Sequence, residues 1–248
     1  MLKGFFRLNI AASDWLERQL PSAFTRSLLY LHELTAARLA AQPSVNVVLD
    51  VGGGHSSPFA TREGSKTLVI GADILYEQVI ENHDVDAGVV CDACQALPFS
   101  SGSIDLITTR SVLEHLPSND AFVSECARVL KSGGRVAHVF PAKRAPFALL
   151  NRVLPNWLVR RLVRFYFPQW ADECGFRAYY DKCGYPEMAA LHTSKGFVLE
   201  EVQLRYYQSI YFKPFFPVYT LFVAYDLLIW LSGIKWLCCQ LLIVARRS

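Results

Sequence analysis

Three acids and a run of glycines carry the clearest chemistry in this sequence. Asp50-Val51-Gly52-Gly53-Gly54 stands directly after an apolar run, and Asp73 and Asp92 each close a later one. Glycines let a backbone turn without a Cβ clash and approach a bound ligand closely. An acid about 20 residues past such a loop is placed to accept both hydroxyls of a ribose, and Asp73 holds that place. Asp92, after Val89-Val90-Cys91, is placed to take an adenine amino group. A nicotinamide fingerprint fits less well, because its last glycine falls on Ser57. Cys91 and Cys94 have metal-ligand spacing but no matching second pair, so no metal is expected.

These residues need strands to hold them, and the sequence supplies the pattern. Val45-Asn46-Val47-Val48-Leu49 is a β-branched run of strand length. Strand-like segments recur at 67–71, 88–91, 104–109 and 135–140, with helical ones at 75–82 and 119–131. That alternation predicts an α/β fold with a parallel sheet covered on both faces. Ligands in such sheets sit at the carboxyl ends of the strands, where strand order reverses.

Residues 47–139 resemble the class I S-adenosylmethionine-dependent methyltransferases, in particular the methyltransferase type 11 group. The signature D/E-x-G-x-G matches Asp50, Gly52 and Gly54, with Ser56 where a third glycine is common. Asp92-Ala93-Cys94-Gln95-Ala96-Leu97-Pro98-Phe99 is similar to the family's D-A-x-x-L-P-F stretch. Ser103 to Ile107 with Val112-Leu113-Glu114-His115-Leu116, and Arg128 to Gly134, resemble its fourth strand and the approach to its fifth. The resemblance implies a Rossmann-like, seven-stranded, mostly parallel sheet and S-adenosyl-L-methionine as cofactor. It places Asp50, Gly52, Gly53, Gly54, Asp73, Ile74, Asp92 and Ala93 around that cofactor, with Arg110 and Ser111 at its methionine end. His115 is the candidate general base; the alternative is a turn histidine bonded to backbone. His55 reads as shaping the glycine loop, and His192 as a surface or helix histidine.

The implied reaction is in-line methyl transfer to a small, lipid-linked or glycan-linked acceptor. A non-catalytic binding module on the same fold, tethered by its apolar tail, is the alternative. Residues 1–43 read as a helical cover and 44–248 as the methyltransferase domain, with a cap inserted at about 142–195. Basic residues from Lys143 to Arg164, including Arg160, alternate with Leu158, Leu162 and Phe165 as an amphipathic helix, suited either to an anionic membrane or to packing its apolar side on the core. Residues 172–181 gather acids and tyrosines that either face an acceptor or pair with those arginines.

Composition narrows the field. The 248 residues are 52% hydrophobic and 19% charged, which excludes disorder for the bulk and leaves membrane contact open. A net charge of +3 is too mild for a nucleic-acid binder. Seven scattered cysteines and no leader-like start suit a cytoplasmic chain, peripheral to the inner membrane face. The apolar stretch 212–238 reads as a helical excursion rather than a spanning anchor, because Asp226 interrupts it and a final strand follows at 241–246.

Overall fold

The computed structural model describes residues 2–60, 67–155 and 176–248, with 157–159, 161 and 164 between them. Residues 172–175 of the acid and tyrosine stretch, and Arg160, Leu162 and Phe165 of the expected basic helix, lie outside the described residues.

Seven strands form one sheet among the described residues: β1 (Val47–Val51), β2 (Leu68–Asp73), β3 (Ala87–Val90), β4 (Ile104–Arg110), β5 (Leu130–Pro141), β6 (Phe197–Arg205) and β7 (Gln240–Arg247). Their order is β3-β2-β1-β4-β5-β7-β6. The first five pair in parallel, and β7 runs antiparallel to both β5 and β6. Strand order reverses between β1 and β4, and their carboxyl ends are where such sheets bind ligands. β4 is buried from Ile104 to Thr109, as a strand covered on both faces should be. β5 starts at Leu130, earlier than the sequence pattern indicates, and its register against β4 shifts between Ile104 and Leu106 as Gly133 turns at φ +80°.

Helices layer both faces. The leading helices are α1 (Leu2–Glu17), α2 (Ser22–Thr25) and α3 (Leu28–Ala40). Ser27 caps α3 by accepting from the Tyr30 amide, and Ala36, Leu39 and Ala40 then pack on Val48, Leu106 and Ala137. On the other face α5 (Asn119–Val129), capped by Ser118, sets Phe122, Val123 and Cys126 against Leu49, Ile107 and Val136. The short α4 (Tyr76–Glu81) follows β2, and α6 (Pro146–Val153) and α7 (Tyr185–Ser194) lie between β5 and β6. His192 is on α7, but it is fully buried rather than at the surface, because it shares the inward face with Met188 and Leu191. Its ring lies 5.6 Å from that of His138 and 5.5 Å from Phe197.

The apolar excursion is α8 (Phe216–Ser232), started by Pro217 and ended by Gly233 in the left-handed region at φ +66°. Asp226 turns inward and accepts from the Gln208 and Ser209 amides and the Ser209 hydroxyl at 2.5–2.9 Å. The helix connects two strands that pair with each other, and its only charge is spent holding it on the protein. No helix among the described residues is long and apolar enough to cross a membrane.

Candidate active site

The glycine loop is anchored from below. Asp50 is buried, and its carboxylate accepts from the Ser57 hydroxyl at 2.5 Å and the Thr108 hydroxyl at 2.6 Å. Burial pushes its carboxyl above the usual range, while the two hydroxyls oppose that shift. Each of its oxygens takes one of these bonds, so Asp50 braces the loop from below. Ser57 and Thr108 are the partners that sequence reasoning missed; no spacing rule joins them to Asp50.

The loop has no room for side chains. Gly52 and Gly54 sit at φ +69° and +58°, and a Cβ on Gly53 would lie 2.6 Å from Asp50 Oδ2. A Cβ on Gly52 would lie 2.3 Å from Val112 Cγ2, so the loop after β1 presses on the turn after β4. Gly53, Gly54, Ala72 and Asp73 line one recess. Asp73 Oδ1 accepts from the Leu75 amide at 3.0 Å, which holds the carboxylate at the end of β2. Ile74 beside it is exposed. Asp92 accepts from the Cys94 amide and the Gln95 side chain, and Ala93 is buried behind it. Val79, Asn82 and Val85 close the back of this recess, and the Asp73 carboxylate stands beside the bare glycine backbone, the pairing that a ribose diol requires.

The end of β4 supplies the remaining candidates. Arg110 donates to Glu33 on α3 at 3.3 Å, an engagement its expected carboxylate role did not anticipate. Ser111 holds φ +57°, a conformation uncommon for a residue with a side chain and often found at functional sites. His115 Nδ1 donates to the Arg177 carbonyl at 3.1 Å, since a carbonyl can only accept. Nε2 is therefore the unprotonated nitrogen of the neutral ring, and burial holds the ring's pKa below its usual value. Glu114, which the sequence reading passed over, is buried, and desolvation pushes its carboxyl up to about 8. Its Oε2 has no partner among the described residues, and Oε1 lies 3.9 Å from His115 Nε2. The Glu114 carbonyl accepts from the Tyr179 and Tyr180 amides, so the segment leading into α7 docks on this turn. His55 stands 3.0 Å from Glu81 at the exposed rim of the loop. No group of three metal-ligating side chains occurs among the described residues.

A methyltransferase-domain family model matches residues 49–138, the stretch from β1 through most of β5. A ubiquinone biosynthesis O-methyltransferase of Xanthomonas axonopodis pv. citri is 30% identical over 183 residues, covering 71% of this chain and 72% of that one. Proteins of the same name from Pectobacterium atrosepticum and Burkholderia ambifaria are 35% and 33% identical, covering 45% and 52% of this chain. The matched part spans about half of those two relatives, 46% and 56% of their lengths. Among solved structures, a geranyl diphosphate methyltransferase in complex with SAM aligns with TM-score 0.57 at 15% identity, covering 89% of this chain and 85% of that one. The [4+2]-cyclase SpnF aligns equally well, with TM-score 0.57 at 17% identity over 89% and 80% of the two chains. At such identities the two structures establish the fold alone.

The sheet order and the loop after β1 define a Rossmann-like methyltransferase fold. This chain belongs to the class I S-adenosylmethionine-dependent methyltransferases, and S-adenosyl-L-methionine is its cofactor.

Proposed function

We propose that this chain methylates a hydroxyl of a small, largely apolar acceptor, lipid-linked and met at the cytoplasmic face of a membrane, with His115 as general base. The named activity of its relatives, O-methylation in ubiquinone biosynthesis, supports an oxygen acceptor. The cofactor, when bound, supplies an electrophilic methyl on a sulfonium.

The remaining work falls to the chain. Asp73 accepts the ribose hydroxyls, Asp92 and Ala93 hold the adenine edge with Ile74 against its face, and Arg110 and Ser111 hold the amino-acid end. Aligning acceptor and methyl in this way is worth on the order of 7–11 kcal/mol of the barrier. His115 Nε2 takes the acceptor proton, an effect worth roughly 10²- to 10⁴-fold. The single observation that carries this assignment is the Nδ1 bond to the Arg177 carbonyl, which leaves Nε2 basic.

The fold by itself does not set the reaction, since a cyclase shares it. Release of S-adenosylhomocysteine is therefore measured with phenolic acceptors carrying and lacking apolar tails. Turnover favouring the tailed acceptors supports the proposal. Cofactor binding without turnover on any acceptor would instead mark a non-catalytic binding module.

A further inference from the structure

Helix α8 is built inside out for a helix facing water. An ordinary surface helix buries its apolar stripe and shows its charges to solvent. Here the only charged residue, Asp226, points inward, while Val218, Leu221, Tyr225, Leu228 and Leu231 recur at helical spacing on the exposed side. Leu221 and Leu228 are each 69% exposed and Leu231 is 74% exposed. The apolar row runs on past the helix into Ile234 and Trp236. Contiguous exposed apolar surface of this kind marks an interaction site.

What borders the row identifies its partner. The Arg144 guanidinium lies 5.0 Å from the centre of the Trp236 ring, and Lys235 lies 5.3 Å from that of Tyr185. The Phe147 ring of α6 lies 4.8 Å from that of Tyr211, tilted by 41°, which sets α6 beside the turn that leads into α8. α6 and the residues after it expose Leu149, Leu150, Val153 and Trp157 together with Arg152, Arg161 and Arg164. No acid occurs from 143 to 164, and Arg144, Arg152 and Lys235 have no ion pair among the described residues. Apolar side chains rimmed by uncompensated cations and by tryptophans match acyl chains beneath anionic headgroups. A second copy of the same face would bring further cations, not the missing negative charge.

We propose that the α8 face, with the cations of α6 and Lys235, is a docking surface for an anionic lipid bilayer, on which α8 lies in the plane of the interface. This deepens the proposed function, resting on its membrane-facing acceptor, and names the surface and the lipid chemistry. Leucines on a helix lying in the interface reach about 5–10 Å into it, so the chain binds without spanning.

The test sediments the full chain with vesicles of phosphatidylcholine alone and of phosphatidylcholine mixed equally with phosphatidylglycerol. The expected result is binding to the mixed vesicles, weakened by salt, and at least about tenfold weaker for the doubly substituted Leu221→Asp, Leu228→Asp chain. Both positions point away from the core, and unchanged cofactor affinity of the variant shows that it is folded. Failure to sediment with either vesicle overturns the proposal. So does light scattering that finds a dimer in the wild type and a monomer in the variant, which would assign the face to self-association. Cofactor titration reads the active site separately, so vesicle binding without cofactor binding would refute that site and leave the surface standing.

Discussion

The Asp50 carboxylate and the Ser57 hydroxyl meet at 2.5 Å beneath the glycine loop, tying its first turn to the end of β1. Thr108 holds the other carboxylate oxygen from β4, so the loop is fastened to both strands that flank the switch point. This arrangement leaves no slack at Gly53, whose missing Cβ is the space the carboxylate fills. Gly53→Ala is expected to cost about 1–3 kcal/mol of stability, as overpacking does, and to weaken cofactor binding more than tenfold. Gly4→Ala, in open space on α1, is the control: it leaves cofactor binding unchanged and, as a helix glycine replaced by alanine, does not lower stability. Thermal melts and calorimetric titration check the pair.

Much of this was legible in the sequence, and the reasons are physical. β-branched runs between glycine and helix signals mark β1, β2 and β4, because strands of a covered parallel sheet are largely apolar. Placing Asp50 under the loop needed Ser57 and Thr108, seven and fifty-eight residues away, whose approach is a matter of packing. The spacing around His192 indicates a helix, which α7 is, but a lone histidine carries no sign of which side of its helix is covered. Glu114 gave no signal either, since a carboxylate on a turn is ordinarily solvated. Asp226 interrupts the apolar stretch in the sequence; that it faces inward to meet Gln208 and Ser209 follows only from the fold.

For His115 the expected signature is a split between binding and turnover. His115→Asn should lower kcat by roughly 10²- to 10⁴-fold while cofactor affinity stays within about twofold. Burial lowers the pKa of the ring, so the basic form dominates at neutral pH. Activity is then flat around neutrality and falls only on acidification below the ordinary histidine range. A steady-state pH profile that still rises above pH 7 would show that another group is the base.

Glu114 makes an opposite kind of statement. Its carboxyl is raised from 4.5 to about 8, so between those values the folded chain keeps a proton that the unfolded chain has lost. Stability is therefore lost as pH rises through that window. Glu114→Gln removes the titration and should stabilise the fold by an amount growing from pH 5 to pH 8, with an upper bound on the order of 4 kcal/mol. Melting temperatures of the two proteins that stay parallel across this range would contradict the burial argument.

The buried histidines add an acid limb. His32 donates from Nε2 to the Ala137 carbonyl, and burial lowers its pKa from 6.5 to about 4. The unfolded chain takes up that proton first, so stability falls as pH drops from 6.5 toward 4. The contribution of His32 is on the order of 3 kcal/mol. His138 and His192, lowered by burial as well, act in the same direction. A His32→Gln chain should show a shallower fall of denaturant midpoint with acid.

The central claim is that the glycine loop and the carboxylate closing β2 form the seat for the adenosyl group. Calorimetric titration of S-adenosyl-L-methionine into the wild-type and Asp73→Ala proteins tests it most directly. The account calls for one saturable site in the wild type and an affinity about 10- to 100-fold lower in the variant, the worth of hydrogen bonds to a charged acceptor. Affinities agreeing within twofold, or no binding to the wild type, would contradict it.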